Sequence, residues 1–415
     1  MTSAAGAPGA VPDGAGFDRA WSSLLPVGRA PTGGYHRLAW SDADLGCREW
    51  FRQQADAHGL TLDEDHNGNQ WAWWGEPGPD AVVTGSHLDS VPGGGAFDGP
   101  LGVVSAFLAV AALQAAGVAP GRPVAVVNFS DEEGGRFGLA CLGSRLMAGE
   151  VDPDTALART DPDGVTLSEA RSRAGFGDRR PGPDPDRLGR IGIFVELHIE
   201  QGRRLAVDGV PVGVATAVWP HGRWRLDFRG EGNHAGTTAV ADRHDPVLPL
   251  AHAVLAAREA AATGDALATI GRVEAHPGAT NAIASRATAW LDARAPLPEG
   301  VRAAVGRVED AARAAAGREG VALTVAEESW SGGAEFRPEL RAALAAVVEG
   351  RLGKVAQLPT GAGHDAAVLA ASVPTAMLFV RNPTGISHDP AEHATRADCL
   401  AGVDALVAVL ASLCR

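Results

Sequence analysis

Three residues whose side chains can bind a metal or transfer a proton, His87, Asp89 and Asp98, lie in one glycine-rich stretch. An apolar run before it predicts a strand, and a long Ala/Val/Leu pattern beginning at Pro100 predicts a helix. On an extended backbone His87 and Asp89 point to the same side, and the loop glycines let Asp98 fold back toward that imidazole. An imidazole with two carboxylates suits a divalent metal ion. The alternative is a polar turn exposed to solvent.

Other residues of the same chemical types follow or end further apolar runs. Glu132 and Glu133 come directly after the predicted strand 123–129, His198 lies in another predicted strand, and His388 follows a third. In open α/β sheets, ligands bind at the carboxyl ends of the strands, so these side chains are expected to meet in one cleft. Two alternatives stay open, because adjacent acids are usually solvated and a lone histidine in an apolar strand is usually a core residue.

The chemistry of these residues predicts two metal ions that share one carboxylate. The predicted ligands, grouped by ion, are His87, Asp98 and His198 for the first, and Asp98, Glu133 and His388 for the second. Such shells accept Zn, Mn or Co. Two ions held in this way acidify a water molecule. Glu132 is predicted to take the proton of that water and pass it to a leaving nitrogen.

Composition and charge argue against several classes of function. The chain has 415 residues, which favours two domains, and a net charge of −14 without a basic stripe. Nucleic acid and anionic membranes are therefore poor partners. Residues 1–13 predict a disordered leader without a signal peptide. The cysteines are scattered and predict reduced thiols of a cytoplasmic protein; they are Cys47, Cys141, Cys399 and Cys414.

The pattern of elements predicts an α/β fold with an insertion. Strands that end in polar residues alternate with helices over 1–210 and 329–415, which predicts a catalytic domain with a mostly parallel central sheet flanked by helices. Between them, residues 211–328 contain extended segments and two Ala-rich helical patterns, near 246–262 and 299–316. This region predicts a small inserted α+β domain.

Together these motifs resemble the M20 family of dinuclear metallohydrolases, and within it the allantoate amidohydrolase and N-carbamoyl-L-amino-acid hydrolase branch. The matching pieces fall in order along nearly the whole chain: Gly-Ser-His87-Leu-Asp89-Ser-Val, Gly-Gly-Ala-Phe-Asp98-Gly, Asp-Glu132-Glu133-Gly-Gly-Arg-Phe-Gly, Glu-Leu-His198-Ile-Glu-Gln201-Gly, His234-Ala-Gly-Thr-Thr, Gly-Ala-Gly363-His364-Asp365-Ala and Gly-Ile-Ser-His388. His198 discriminates within the family, because peptidase members resemble one another in placing an acid there.

The resemblance implies roles for further residues. It implies that the insertion is a lid that also forms a homodimer, and that His234 comes from the neighbouring subunit to steady an oxyanion. The implied substrate contacts are Gln201, His234, Asn281, Arg294 and Gly363. Arg294 offers a two-pronged fork for a substrate carboxylate. Asp89 is counted with Glu132 and His234 among the catalytic residues.

The function implied by the resemblance is hydrolysis of a ureido or carbamoyl C–N bond with release of ammonia and carbon dioxide. Allantoate is placed first, because the segments 219–224 and 379–383 resemble members described as allantoate hydrolases. The alternative is an N-carbamoyl-L-amino-acid hydrolase. An aminoacylase, a peptidase and a non-catalytic binding protein are ranked lower, the last because every ligand position and Glu132 are filled.

Overall fold

The structure of the chain is a computed structural model that describes residues 13–262 and 266–415. The predicted leader at residues 1–13 lies outside these ranges apart from Asp13, which caps the first helix by accepting the N–H of Ala15 at 3.0 Å. In the part of the chain that is described, no helix is long and apolar enough to cross a membrane.

The elements are numbered in chain order. The helices are α1 Gly14–Leu24, α2 Asp42–Ala57, α3 Pro100–Ala115, α4 Leu142–Ala148, α5 Pro153–Leu157, α6 Leu167–Arg173, α7 Pro185–Leu188, α8 Arg204–Asp208, α9 Val247–Ala262, α10 Pro298–Glu319, α11 Pro338–Leu352, α12 Asp365–Leu369 and α13 Arg396–Leu413, with one 3₁₀ turn, Val240–Asp242. The strands are β1 Thr61–Glu64, β2 Gln70–Trp74, β3 Ala81–His87, β4 Val124–Phe129, β5 Ile191–Ile199, β6 Val212–Val218, β7 His221–Arg229, β8 Asn233–His234, β9 Leu267–His276, β10 Ala282–Ile283, β11 Arg286–Arg294, β12 Ala322–Ser331, β13 Ala334–Glu335, β14 Ala356–Thr360 and β15 Thr375–Val380.

The chain divides into two compact units. The first contains the residues up to Ala217 together with Glu335–Arg415, and the second is Val218–Ala334. These bounds differ from the predicted insertion, 211–328, by a few residues at each end. The reason is strand pairing: β6 pairs with β15 in the sheet of the first unit, whereas β12 continues to Ser331 beside β7 in the second.

A nine-stranded sheet forms the centre of the first unit. Its strand order is β1-β2-β4-β3-β5-β15-β6-β13, with β14 also paired to β6. The four strands β4, β3, β5 and β15 are parallel to one another, and β2 and β6 adjoin them in the antiparallel direction. The predicted α/β fold class with a mostly parallel central sheet is therefore confirmed.

Burial explains why these segments form a central sheet. Every residue of β3, β4 and β15 is buried, as expected of parallel strands covered on both faces. Helix α3 is also almost wholly apolar and buried, and it packs on α13 and β3. The ring of Phe107 in α3 meets those of Trp50 and Phe51 from α2. This packing fixes the start of α3, and with it the loop that carries Asp98.

The second unit has its own sheet and its own core. Four antiparallel strands follow the order β12-β7-β11-β9, and α9 and α10 pack on this sheet. Small side chains, many of them alanine, fill the space between sheet and helices, so the helices approach closely. A separate two-stranded ribbon pairs β8 with β10, with His234 opposite Ala282.

Candidate metal centre

The parallel strands bring the predicted site residues to one edge of the large sheet. His87 is the last residue of β3, and its register partner Phe129 is the last residue of β4, directly before the segment that carries Glu132 and Glu133. His198 is the penultimate residue of β5 and lies beside β15. His388 follows β15 on an exit loop. The carboxyl ends of four neighbouring strands therefore supply the site.

The carboxylate of Asp98 faces two groups of side chains, one with each oxygen. Its Oδ1 lies 3.1 Å from Nε2 of His198 and 3.6 Å from Nε2 of His87. Its Oδ2 lies 3.3 Å from Nε2 of His388, which in turn is 3.5 Å from Oε2 of Glu133. Within each trio the ligand atoms lie within 4.8 Å of one another. These are the two trios that were predicted from the sequence.

The imidazoles are oriented as metal ligands require. Nδ1 of His87 lies 3.2 Å from the carbonyl oxygen of Asp89, and Nδ1 of His198 lies 2.9 Å from that of Ile199. A carbonyl oxygen only accepts, so each Nδ1 carries the hydrogen and each Nε2 has a lone pair. The Nε2 of His198 accepts the backbone N–H of Gly99 at 3.2 Å. Nε2 of His87 is buried and has no hydrogen-bond partner among the described residues. A cation is the partner that fits this donor set.

The charges of the cluster favour a cation at the same place. Hydrogen bonding to Asp98 raises the pKa of His388 to about 9. Burial alone would lower the pKa of His87, but the negative charges of Glu132, Asp89 and Asp98 outweigh it and raise that pKa well above the ordinary value. Negative groups that stabilise a protonated imidazole also stabilise a bound divalent ion, because both place positive charge at one point.

Asp89 holds the loop that carries the two glutamates. Its Oδ1 accepts the N–H of Glu132 at 3.1 Å, and its Oδ2 accepts the N–H of Glu133 at 3.0 Å. The same carboxylate lies 3.5 Å from Nδ1 of His87. Asp89 thus touches backbone amides and a ligand, and we describe it as a positioning residue, although it was counted as catalytic in the sequence analysis.

The adjacent glutamates point to different neighbours. Oε2 of Glu132 lies 3.7 Å from Nε2 of His87, whereas Glu133 approaches His388. Burial raises the pKa of Glu132 well above its ordinary value, against the opposing charge of His87. Glu132 belongs to neither ligand trio. A buried carboxyl group beside two predicted ligand trios, and in neither of them, has the position that a general base requires.

Two residues near Asp98 were missed in the sequence analysis. Oε2 of Glu392 accepts the backbone N–H groups of Phe97 at 2.9 Å and Asp98 at 3.0 Å, and Ser387 donates its hydroxyl to Oδ2 of Asp98 at 3.2 Å. Both lie on the exit loop of His388. That proximity in sequence was the available signal, but the contact with the Asp98 loop spans almost the whole chain.

The predicted substrate contacts of the first unit lie near the ligands. Nε2 of Gln201 donates to Oδ2 of Asp98 at 2.7 Å and to Ser387 at 3.1 Å. Gly363 directly precedes His364, whose ring centroid is 4.6 Å from that of His198. His364, whose role was left open in the sequence analysis, is therefore a neighbour of a predicted ligand.

The remaining predicted contacts belong to the second unit. His234 lies on β8 and is exposed, and Asn281 directly precedes β10. The N–H of Ala235 donates to the carbonyl of Asn281 at 3.0 Å, so the β8–β10 ribbon holds both residues. Arg294 ends β11, and its guanidinium binds Asp292 through Nε at 2.7 Å and Nη2 at 3.1 Å. The structure thus places Arg294 on a different sheet from His234 and Asn281.

Comparison with known proteins identifies the family. The protein-family model described as Peptidase family M20/M25/M40 matches residues 83–412 of the chain. The chain belongs to the M20 family. It is 36% identical to an N-carbamoyl-L-amino acid amidohydrolase of Geobacillus stearothermophilus, over 94% of this chain and 96% of that one. It is 33% identical to an allantoate amidohydrolase of Escherichia coli K12, over 96% and 98%.

A solved structure supports the same assignment. An amidase of the hydantoinase/carbamoylase family from Burkholderia vietnamiensis superposes with a TM-score of 0.90 at 32% identity, over 97% of this chain and 98% of that chain. The predicted M20 branch is confirmed. So is the predicted enzyme class, a metal-dependent amidohydrolase that acts on C–N bonds other than peptide bonds.

Gly99 provides a test of the packing around His87. It has a φ of +82°, and a Cβ there would lie 2.4 Å from Cε1 of the imidazole. We expect Gly99→Ala to displace His87 and to weaken metal binding by about 10- to 100-fold, as changes around metal ligands do. Metal content after dialysis, measured by mass spectrometry, checks this result.

Gly93→Ala is the matched control. Gly93 has a φ of +76° in the same loop, and no atom lies within 4 Å of its Cβ position. It should show only the cost of the left-handed backbone, about 1–2 kcal/mol of unfolding free energy. Equal metal retention in the two variants would contradict the packing argument.

Proposed function

We propose that the chain hydrolyses the carbamoyl C–N bond of a ureido acid, with allantoate as the first candidate substrate. The observation that carries this proposal is the placement of the two carboxylate oxygens of Asp98. One oxygen faces His87 and His198, and the other faces His388. Glu132 lies beside this arrangement without belonging to either trio. A shared carboxylate next to a buried carboxylate that belongs to neither trio is suited to water-dependent cleavage of a C–N bond.

We further propose two divalent ions per chain, Zn, Mn or Co. The two trios offer imidazole and carboxylate ligands, a set that these metals accept. Bound there, the ions would polarise the substrate carbonyl and acidify water. The chain's own residues supply the rest: Asp98 sets the two positions, and Asp89 fixes His87 and the loop of the glutamates.

Glu132 is proposed to move the proton. It accepts a proton from the attacking water and then gives it to the leaving nitrogen, so the amine departs as a neutral group. The position of Glu132 supports this role, because its Oε2 lies on the side of the predicted ligands, 3.7 Å from Nε2 of His87.

The choice of substrate rests on the relatives and on the proposed contacts. Gln201, Asn281 and Gly363 are proposed to bind the substrate, and Arg294 to bind its carboxylate. The relative from Escherichia coli is named for allantoate. The relative from Geobacillus stearothermophilus, at 36% identity, is named for N-carbamoyl-L-amino acids. N-carbamoyl-L-amino acids are therefore the second candidate substrates.

A homodimer is proposed from the surface of the second unit. Helix α9 exposes Leu248 and Leu255, with relative exposures of 48% and 61%, and β9 exposes Leu267 and Val273, each at 55%. Strand β9 ends the order of its sheet, and β11 is its one partner in the described residues, so its outer edge can pair with another strand. Exposed apolar residues beside an open edge are typical of an interface.

The cytoplasm is the proposed location, and the four free, buried cysteines support it.

A substrate panel tests the proposed function. Purified, metal-loaded protein should release ammonia from allantoate or from an N-carbamoyl-L-amino acid, and much more slowly from acyl amino acids and dipeptides. Ammonia release and product analysis measure this preference. A preference for a dipeptide would overturn the proposed substrate class.

Glu132→Gln is the control for that panel. The amide keeps the shape of the side chain but cannot accept the proton, so kcat should fall by about 10²- to 10⁴-fold. Metal content should be unchanged, because Glu132 is in neither ligand trio. Unchanged turnover in this variant would remove Glu132 from the mechanism.

If Asp98 is shared by both ions, Asp98→Asn should lower the metal content more than Glu133→Gln does. Wild-type protein should bind about two ions per chain, Glu133→Gln should retain about one tightly, and Asp98→Asn should lose both, since one carboxylate serves both sites. Chelator treatment followed by titration with Mn, Zn or Co, read by mass spectrometry, gives the numbers. Loss of a single ion from Asp98→Asn would show that the carboxylate is not shared.

The proposed role of His234 across the dimer can be tested by mixing two inactive variants. Hybrid dimers of His234→Ala and Glu132→Gln contain one site with both functional residues, so random exchange of equal amounts should restore about a quarter of wild-type activity. Each variant alone is the control. Light scattering reports whether the species are dimers, and no recovery despite hybrid formation would place His234 in the site of its own chain.

A further inference from the structure

One buried residue outside the ligand trios is hydrogen-bonded to Glu132. Sγ of Cys141 lies 3.3 Å from Oε1 of Glu132, and the cysteine is 5% exposed. The backbone joins the same two residues, because the N–H of Cys141 donates to the carbonyl oxygen of Glu132 at 2.6 Å. The thiol and the general base are therefore held together by a side-chain and a backbone contact.

The backbone conformation of Cys141 is unusual for a residue with a side chain. Its φ is 54° and its ψ is 38°, in the left-handed region that glycine adopts most easily. The residue precedes α4, but its side chain makes no capping hydrogen bond to that helix. Helix capping therefore does not explain a side chain at this position, whose thiol instead contacts Glu132.

The two oxygens of Glu132 have different surroundings. Oε2 faces Nε2 of His87 at 3.7 Å, on the side of the metal ligands. Oε1 faces Cys141, whose thiol is its one hydrogen-bond partner within residues 13–262 and 266–415. A hydrogen bond donated to Oε1 stabilises negative charge there and fixes the rotation of the carboxylate.

We propose that Cys141 is a positioning residue for the general base: its thiol donates to Oε1 of Glu132 and directs Oε2 toward the proton that is to be transferred. This inference rests on the proposed function, since it assigns the oxygen that carries the proton. An O–H bond of the attacking water breaks, its oxygen forms a C–O bond to the carbonyl carbon, and an O–H bond forms at Oε2. That bond then breaks as the leaving nitrogen takes the proton and the C–N bond is cleaved. Glu132 ends as a carboxylate.

The thiol keeps its own proton during this sequence. Burial raises the pKa of Cys141 well above the ordinary value for a thiol, and the negative charge of Glu132 raises it further. Cys141 is thus a stable donor and does not act as a nucleophile.

Three substitutions separate the hydrogen bond from the backbone conformation. Cys141→Ala removes the donor and keeps the left-handed backbone on a residue with a side chain, Cys141→Gly removes the donor and relieves the backbone, and Cys141→Ser keeps a donor. We expect kcat to fall by about ten-fold in the alanine and glycine variants, with KM changed by less than about two-fold and metal content unchanged. The serine variant should regain most of the rate. Cys399→Ala, which removes another buried thiol, is the matched control and should behave as wild type.

Infrared spectroscopy tests the contact without any measurement of activity. The S–H stretch of Cys141, isolated as the difference between wild type and Cys141→Ala, should lie at the lower frequency of a thiol bonded to a carboxylate. It should shift upward in Glu132→Gln, because a neutral amide is a weaker acceptor. An S–H band that is the same in both backgrounds would overturn the proposal, even where a substituted protein folds poorly.

The outcomes also separate this inference from the proposed function. If Glu132→Gln abolishes turnover but Cys141→Ala and Cys141→Gly keep the wild-type kcat, Cys141 does not position the base and the proposed function stands. If Glu132→Gln itself retains turnover, the proposed function fails first. Loss of bound metal in all three Cys141 variants would assign Cys141 to the folding of the site and contradict the proposal.

Discussion

The site depends on one buried carboxylate that is surrounded by three imidazoles. Burial opposes ionisation of Asp98, but the charges and hydrogen bonds of His198, His388 and His87 hold its pKa well below the ordinary value. A buried carboxylate needs positive charge beside each of its two oxygens. Each oxygen of Asp98 therefore marks a position where a cation is stabilised. Asp89 and Glu392 hold the loops around this carboxylate through backbone N–H groups.

The fold meets that requirement through the parallel strands. Four strands in parallel register end at one edge, which places His87 and His198 within reach of each other. The loop of Asp98 has further supports, Pro100 at the start of the buried helix α3 and Glu392, which accepts two of the loop's N–H groups. These contacts hold a predicted ligand in place although it lies on a loop.

Much of this arrangement could be predicted from the sequence because it follows local rules. Apolar strands that end in His87 or precede Glu132 predict side chains at the carboxyl edge, and the spacing of Asp98 predicts a loop that folds back. Contacts between distant segments gave no local signal. Glu392 is separated from the Asp98 loop by almost the whole chain, and no spacing pattern links Cys141 to Glu132. The start of the second unit also depends on a distant contact, since the pairing of β6 with β15 joins β6 to the sheet of the first unit.

Glu132 and Glu133 show how surroundings give identical neighbours different properties. Both are held by Asp89 through their backbone N–H groups, so they start from the same anchor. Burial and the nearby charge of Asp98 raise the pKa of Glu133 to about 7, while His388 opposes that shift. Glu132 is more deeply enclosed and has a thiol on one oxygen. The side chain that shares its cation position with Asp98 and His388 is suited to binding a metal. The side chain with one oxygen held and the other free is suited to carrying a proton.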